Sequence, residues 1–332
     1  MTPTDREVAT RPLDDEPFLL QVDALAPGLA LDAWIGRHHG WVTDKLTANG
    51  ALLFRGFAVV EPAEFRRAAA AVSPNLLGYL ERAAPRTEVM DNVFTSTEFA
   101  SDEWIPFHHE MSYAHNWPSR LYLYCDQAPV RGGATPVASE RTVYLRIPAE
   151  IRERFERGGV RYVRNYGPYV DLPWQEAFQT TDRAQVEAYC RNAGMDCTWT
   201  PEDGLRTVAV RQATSRHPDT GEVVWFNHAH IFHLSSLSAE VSAMLVEELG
   251  TDGLPRNAYY GDGTPIEDEV VSLIHDRYRE AAVSFRWQRG DVLVVDNILS
   301  AHAREPFSGA RRILVAMSDL HVSGFSRDVA TA

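Results

Sequence analysis

The residues best suited to metal chemistry are a histidine and a glutamate two positions apart, His108 and Glu110. In an extended strand, side chains two positions apart lie on the same face, so we expect these two to project together and His109 to face away. One imidazole and one carboxylate on a shared face supply two ligands of the 2-His-1-carboxylate triad that holds non-haem Fe(II). His302, far downstream, is the candidate for the third ligand.

Other histidines offer competing sites. His217 and Asp219 have the same spacing, but they belong to His-Pro-Asp-Thr-Gly-Glu, which is typical of a turn between two strands. His228 and His230 form a His-x-His pair that a cupin-type metal site could use, and that alternative stays open. The spacing of His108 and Glu110 is therefore weak evidence for a metal site by itself, and other motifs must support it.

Four motifs in one order resemble the taurine/2,4-D dioxygenase family of Fe(II)- and 2-oxoglutarate-dependent oxygenases. They are His108-x-Glu110, a Gly-Gly-x-Thr ending at Thr135, the distal His302, and Arg312 ten residues later. The resemblance covers about residues 52 to 321. Glu110 stands where most of the family has aspartate. In this respect the chain resembles the branch that contains clavaminate synthase and the syringomycin-type aspartyl hydroxylases, where glutamate is the ligand. The sequences at 164–166 and 260–263 also resemble the aspartyl hydroxylases.

This resemblance implies a set of cofactors and their ligands. Fe(II) would be held by His108, Glu110 and His302, with 2-oxoglutarate and O2 as co-substrates. Thr135 would bring a hydroxyl to 2-oxoglutarate, and an arginine would bind its far carboxylate in fork geometry. Arg311 and Arg312 alternate across a strand, so only one faces inward. The family position, with apolar Ile313 next to it, selects Arg312 and leaves Arg311 at the surface.

The resemblance also implies the reaction class. We expect hydroxylation at an unactivated C–H of an amino-acid-like small molecule, free or bound to a carrier protein, in a specialised metabolite pathway such as antibiotic biosynthesis. Related halogenases replace the carboxylate ligand by a small residue, so Glu110 argues against halogenation. The candidate substrate-binding residues are Asn165, Asn227 and His230. Desaturation or epoxidation by the same family is the first alternative.

Two other function classes stay open at this point. A cupin-type metalloenzyme using His228 and His230 would bind metal without needing 2-oxoglutarate. A non-catalytic jelly-roll protein would bind 2-oxoglutarate without releasing succinate.

The amino-acid composition limits the kinds of partner that we expect for the protein. The chain has 332 residues, 45% of them hydrophobic, and a formal net charge of −14, which argues against nucleic acid because phosphate binding needs a basic surface. Three cysteines without a disulfide spacing are typical of a reducing compartment. The sequence shows neither a signal peptide nor a membrane-length apolar run, so we expect a cytoplasmic protein without a membrane partner. A homo-oligomer is one option that the sequence leaves open.

The elements that must position these residues are mainly strands. Many short strands with flanking helices predict a double-stranded β-helix, the cupin-like jelly roll. We expect a loose tail or a covering strand at residues 1–20 and a single domain at 21–325, with helical insertions near 170–200 and 236–281. A helix is predicted at 31–48, and Thr264 with Glu267 predicts a capping box that opens another helix.

Overall fold

The computed structural model describes residues 7–13, 18–78, 81, 86–96, 99–167 and 172–325. Strands in chain order occupy Val8–Pro12 (β1), Leu19–Ala24 (β2), Ala51–Arg55 (β3), Glu88–Met90 (β4), Val93–Thr95 (β5), Ile105–His108 (β6), Asn116–Gln127 (β7), Arg131–Gly132 (β8), Val137–Ser139 (β9), Val160–Tyr166 (β10), Met195–Thr200 (β11), Gly204–Arg211 (β12), Thr214–Arg216 (β13), Val223–Trp225 (β14), Arg256–Tyr260 (β15), Ala282–Val283 (β16), Val292–Asp296 (β17), Ser300–Arg304 (β18), Phe307–Ser308 (β19) and Arg312–Val322 (β20).

Helices flank these strands. They occupy Leu31–Arg37 (α1), His39–Asn49 (α2), Pro62–Val72 (α3), Glu140–Arg146 (α4), Ala149–Gly158 (α5), Trp174–Phe178 (α6), Arg183–Asn192 (α7), Ala229–Phe232 (α8), Ala239–Leu249 (α9) and Asp268–Glu280 (α10), with a 3-10 turn at Leu234–Ser236. The described helices include none long and apolar enough to cross a membrane.

Two sheets enclose the main core. The larger has the strand order β1-β2-β3-β17-β7-β20-β5-β4, and the smaller has the order β16-β9-β18-β6. Their facing side chains form one buried apolar cluster, with Leu121 and Val315 from the larger sheet and Phe107 and Ala301 from the smaller. The arrangement confirms the predicted jelly-roll core with flanking helices.

The larger sheet is buried on both faces. Its outer face packs against α1, α2 and α3 in a second cluster that includes Trp34, Phe54, Phe65 and Leu314. Along β20, Ile313 and Val315 therefore belong to the inner cluster and Leu314 to the outer one, as the two-residue period of a strand requires.

Helices α6 and α7 lie in the region predicted to hold the first insertion. Trp174, Phe178 and Val186 pack against Leu205 of the β11-β12-β10-β15 sheet and form a third apolar cluster. Helices α9 and α10 lie in the second predicted region.

The described N-terminal part contains a strand, which is the second of the two options predicted for residues 1–20. Of residues 1–20, positions 1–6 and 14–17 lie outside the described residues. Val8–Pro12 is a strand that pairs with β2 in antiparallel register, and β2 in turn pairs with β3. Only Val8 of the five β1 side chains is buried, so β1 is an edge strand with a mostly exposed surface.

Candidate metal centre

Two histidines meet because β6 and β18 are paired strands. His302 lies directly opposite His108 in the antiparallel register, and their ring centroids are 4.2 Å apart. On its other edge β18 pairs with β9, where Val137 lies opposite His302. Residues distant in sequence are thus fixed side by side by main-chain hydrogen bonds.

Glu110 reaches the same point from a turn. Strand β6 ends at His108, so Glu110 does not lie on an extended strand as we had expected. Met111 next to it has a left-handed backbone, with φ of 63°. The Glu110 amide donates to Asn297 Oδ1 at 2.8 Å, and Asn297 Nδ2 donates to the Glu110 carbonyl at 3.0 Å. This reciprocal contact fixes the backbone of the candidate ligand.

The side chains of His108, Glu110 and His302 converge, with one potential ligand atom from each lying within 4.8 Å of the others. They are the only such group of three found among the described histidines, cysteines and acids. Burial lowers the pKa of His108 to about 4 and holds the pKa of His302 well below its usual value. Both imidazoles are therefore neutral near pH 7, which is the form that binds metal.

The remaining ring nitrogens agree with this role. His108 Nδ1 lies 2.8 Å from the Pro106 carbonyl, which leaves Nε2 for a metal. His302 Nδ1 is buried without a hydrogen-bond partner in the described part of the chain. Two neutral imidazoles and a carboxylate at this separation fit a divalent transition metal such as Fe(II).

A buried arginine contacts the candidate carboxylate ligand. Arg86 Nη2 lies 2.9 Å from Glu110 Oε2 and 3.2 Å from Oε1, and both side chains are only 5% exposed. Burial raises the pKa of Glu110 to about 8 and lowers the pKa of Arg86 to about 10. Burial disfavours both charges, whereas their contact and a bound metal ion would favour the ionised form of Glu110.

An open cavity of about 380 Å³ adjoins the three candidate ligands, and Thr135 and Arg311 line it as well. Thr135 Oγ1 accepts hydrogen bonds from Trp287 Nε1 at 3.0 Å and from Arg311 Nη2 at 3.3 Å. Arg311 Nε donates to the Gly133 carbonyl at 3.0 Å. No carboxylate of the described residues contacts Arg311, and burial lowers its pKa to about 10. The cavity therefore offers a buried cation to an anionic ligand.

The Gly-Gly turn before Thr135 is needed sterically. Gly133 has φ of 68°, and a Cβ there would lie 3.1 Å from Arg311 Cδ and 2.9 Å from Phe307 Cβ. A Cβ on Gly132 would lie 2.2 Å from the Pro306 carbonyl oxygen. Only glycine lets this turn approach the arginine closely.

The prediction that Arg312 faces inward is wrong. Arg312 is 47% exposed and forms an ion pair with Asp126 at 2.8 Å on the outer side of the sheet. Arg311 shares the inner face with Ile313 and Val315. The apolar Ile313 could not discriminate between the two arginines, because β20 is buried on both faces.

His109 faces away from the ligands, as expected. Its Nε2 lies 3.0 Å from Glu140 Oε1, and both side chains are fully buried. The ring also packs on Phe226 at a centroid distance of 4.4 Å. His109 is therefore part of the core behind the site.

The three predicted substrate residues do not line the cavity beside the candidate ligands. Asn165 Nδ2 donates to the carbonyls of Asp252 and Leu254. Asn227 is fully buried, and its amide bonds the backbone at 213 and 229. His230 Nε2 lies 2.8 Å from the Phe107 carbonyl. These side chains satisfy buried backbone groups, which corrects their assignment to substrate binding.

The same contacts argue against a metal site at His228 and His230. His230 Nε2 is engaged with Phe107, and His228 Nδ1 lies 2.5 Å from Ser112 Oγ. Neither belongs to the candidate metal group found among the described residues.

A second, larger cavity lies beside neighbouring positions of the same segments. Residues one or two positions apart line the two cavities. Glu110, Ser96 and Val315 line the first. Met111, Phe94 and Met317 line the second. Its other lining residues include Asn92, Asn116, Gln179 and Tyr189. The second cavity is therefore partly apolar and contains several polar groups.

Three features of the candidate site were not predicted from the sequence. Arg86 belongs to no motif, and Asn297 differs from many buried asparagines only by its nearness to His302. Arg311 was visible as one of two adjacent arginines, but the face of each depended on packing.

Comparison with known proteins places this site in a family. The family described as "Taurine catabolism dioxygenase TauD, TfdA family" matches residues 14–318. Dapdiamide synthesis protein DdaC of Enterobacter agglomerans is 39% identical over 310 residues, which cover 93% of this chain and 94% of DdaC. A clavaminate synthase-like protein of Arabidopsis thaliana is 36% identical over 295 residues, which cover 83% of this chain and 84% of the relative.

Solved structures share the fold at lower identity. The crystal structure of PvcB from Pseudomonas aeruginosa has a TM-score of 0.55 and 18% sequence identity, over 95% of this chain and 92% of that chain. PvcB is described as an Fe, alpha-ketoglutarate dependent oxygenase from an isonitrile synthetic pathway. At this identity the likeness shows a common fold.

Proposed function

The chain belongs to the taurine catabolism dioxygenase TauD, TfdA family, and from this premise we propose that it hydroxylates an unactivated C–H of an amino-acid-like small molecule in specialised metabolism. As a member of that family it is an Fe(II)- and 2-oxoglutarate-dependent dioxygenase, and the family resemblance expected from its motifs is confirmed. The observation that carries the proposal is the convergence of His108, Glu110 and His302 beside Arg311, which contacts no carboxylate among the described residues.

Each residue has a part in this proposal. His108, Glu110 and His302 would hold Fe(II) and leave ligand positions for the co-substrates. Arg311 binds the far carboxylate of 2-oxoglutarate, and the Thr135 hydroxyl helps to orient it. When bound together, iron, 2-oxoglutarate and O2 supply the oxidant for C–H oxidation, with succinate and CO2 as co-products. Four apolar side chains, Ile105, Leu121, Leu123 and Val315, also line the cavity beside the candidate ligands.

The substrate class is supported by the relatives and by the second cavity. One relative is named for dapdiamide synthesis and the other for its likeness to clavaminate synthase. The second cavity places Asn92, Asn116 and Gln179 among apolar side chains. A pocket of this kind suits a small polar molecule with a hydrocarbon portion. Whether a carrier protein presents that molecule is one of the questions for the assay.

Succinate release tests the reaction. Purified enzyme with Fe(II) and 2-oxoglutarate is assayed across a panel of amino-acid-like compounds, free and loaded on a carrier protein. We expect succinate release that depends on the panel compound, and a product that has gained one oxygen atom from labelled O2. Product NMR separates hydroxylation from epoxidation. Loss of two hydrogens would identify a desaturase instead, and no succinate with any such compound would refute the substrate class.

A further inference from the structure

We propose that Trp287 is a positioning residue for the co-substrate. Its indole N–H and Arg311 together occupy both acceptor positions of the Thr135 hydroxyl, so this hydroxyl is left to donate its proton to the ligand. The inference rests on the proposed function, because it takes 2-oxoglutarate as the ligand that Arg311 and Thr135 bind. It adds a residue that acts through Thr135 and a physical reason why this end of the cavity takes a carboxylate.

The Thr135 hydroxyl lies between two groups that can only donate. Its Oγ1 accepts from Trp287 Nε1 at 3.0 Å and from Arg311 Nη2 at 3.3 Å. A hydroxyl oxygen has two lone pairs and one proton, and neither an indole nor a guanidinium has an acceptor. Among the described residues, no atom accepts a hydrogen bond from Thr135 Oγ1. Because Thr135 lines the cavity beside the candidate metal ligands, its proton is available to a ligand there.

Strand pairing brings Trp287 and Thr135 together although they are 152 positions apart. Thr135 precedes β9 and Trp287 follows β16, and these strands pair in antiparallel register with Val283 opposite Val137. Trp287 is 3% exposed, and its ring packs edge-on against Phe285 at a centroid distance of 4.8 Å. Packing in the core therefore holds the indole N–H against the hydroxyl.

The backbone on both sides of Trp287 is fixed as well. Arg55 Nη2 donates to the Arg286 carbonyl at 2.8 Å, and the Gln288 amide donates to Asp291 Oδ2 at 2.8 Å. Arg55 and Asp291 form an ion pair at 2.7 Å, in which the Asp291 side chain is 1% exposed. Trp287 is not among the described residues that line the cavity. It therefore acts on a ligand through Thr135.

The resulting set of donors favours one ligand chemistry. Arg311 keeps further N–H donors after its bonds to Gly133 and Thr135. Carboxylate oxygens only accept hydrogen bonds, so they match both the guanidinium and the Thr135 O–H. An ammonium group would place donors against donors at this point. The hydroxyl is oriented before the ligand binds, which reduces the free-energy cost of ordering it.

Removal of the indole N–H tests the proposal. Trp287→Phe keeps an aromatic ring, but it frees a lone pair of Thr135 and lets the hydroxyl turn away from the ligand. We expect the dissociation constant of 2-oxoglutarate to rise roughly 5- to 10-fold in an anaerobic titration with Fe(II), followed by the visible charge-transfer band. The affinity for Mn2+ alone should stay within about twofold, because no hydrogen bond or ring contact joins Trp287 to a described candidate ligand.

A double-mutant cycle separates orientation of the hydroxyl from packing of the ring. In Thr135→Val, which has no hydroxyl to orient, Trp287→Phe should change the 2-oxoglutarate affinity by less than about twofold. The matched control is Trp174→Phe. Trp174 is also 3% exposed and donates from Nε1 to the Asp203 carbonyl at 3.0 Å, but it belongs to the third apolar cluster. This control should bind 2-oxoglutarate as the wild type does.

Three results would each overturn the proposal: wild-type affinity for 2-oxoglutarate in Trp287→Phe, the same fold-loss in the Thr135→Val background, or an equal loss in Trp174→Phe. Trp287→Met, which also lacks the N–H, takes the place of Trp287→Phe in the cycle if the phenylalanine variant does not fold. Absence of a 2-oxoglutarate-dependent band from the wild-type protein would instead contradict the proposed function, and this inference with it.

Discussion

Arg311 and Arg312, where β20 begins, have different environments because neighbouring side chains of a strand point to opposite faces. Arg311 points between the two sheets, where it bonds Gly133 and Thr135. Arg312 points outward and forms a partly exposed ion pair with Asp126. A buried cation without a carboxylate partner gains far more from an anionic ligand than an exposed one, since solvent screens the exposed charge.

We therefore expect Arg311→Ala to weaken 2-oxoglutarate binding by about 2–5 kcal/mol, because the carboxylate would be left buried and unpaired. Arg312→Ala should change it by less than about 1 kcal/mol. Anaerobic titration of each variant with 2-oxoglutarate in the presence of Fe(II) compares the two. A larger loss in Arg312→Ala would refute the assignment of the inward-facing arginine.

The neighbouring histidines should separate metal binding from stability. His108→Ala and His302→Ala each remove a candidate ligand, and we expect both to abolish Fe(II) binding in an anaerobic titration. His109→Ala should keep the metal site in the folded protein, but it leaves Glu140 buried without its partner. Breaking a buried pair from one side costs roughly 3–5 kcal/mol of unfolding free energy, measured by denaturant titration. Metal loss in His109→Ala, with normal binding in His108→Ala, would reverse these roles.

Spacing suggested His108 and Glu110 as a pair, and the family resemblance supported His302 and added Thr135; all four line one cavity. Spacing and resemblance were not enough for Arg86, whose contact with Glu110 joins positions 24 apart without a recognisable motif. They also failed for Asn227 and His230, because a polar residue near a site more often satisfies buried backbone groups than binds substrate.

Among the elements, the turn between β17 and β18 organises the site. Asp296 Oδ1 accepts from the amides of Ile298 and Leu299, which closes the turn. Asn297 is fully buried and holds the backbone of Glu110 from both sides, with a further bond from Nδ2 to the Pro118 carbonyl at 2.8 Å. The turn before β18, which carries the candidate ligand His302, thus positions Glu110, the candidate ligand that follows β6.

Asn297→Ala should therefore reduce both stability and metal affinity. It leaves the Glu110 amide and carbonyl buried without partners, at a cost of about 1–3 kcal/mol for each unsatisfied group. Denaturant unfolding measures the first effect, and Mn2+ titration followed by EPR measures the second. The matched control is Asn227→Ala, which also removes buried contacts to backbone but lies outside the candidate metal group. Equal Mn2+ affinity in the two variants would show that Asn297 acts on stability alone.

Element boundaries were predictable where apolar periodicity was strong and failed where local polar contacts competed. The helix expected at 31–48 is present as α1 and α2. The capping box at Thr264 is not formed, because the Thr264 amide and hydroxyl both bond Asp262 in a turn. Glu267 is instead bonded by Tyr260 and Arg154, and α10 begins at Asp268. Sequence propensity identified the helix, but contacts with other elements decided its first residue.

For the whole molecule, the important feature is that the candidate site joins both sheets of the jelly roll. His108 and His302 come from the smaller sheet, while Arg311 stands at the start of a strand of the larger one. A ligand that contacts all three cross-links the sheets in the folded state only, because the unfolded chain cannot assemble residues 194 and more positions apart. Binding should then stabilise the fold as a whole.

We expect Mn2+ and 2-oxoglutarate together to raise the melting temperature by roughly 5–10 °C and by more than either alone. A ligand at about 100 times its dissociation constant adds about 2.7 kcal/mol to the unfolding free energy, and each kcal/mol corresponds to roughly 2–4 °C in large domains. The two ligands should be synergistic because Arg311 secures only the far carboxylate, while the other end needs the metal. Differential scanning fluorimetry measures the shifts, and a chelator should reverse them. His302→Ala should abolish the Mn2+ shift, and Arg311→Ala should abolish the further gain from 2-oxoglutarate. A full combined shift in His302→Ala would place the stabilising metal at another site and would contradict the cross-linking of the two sheets.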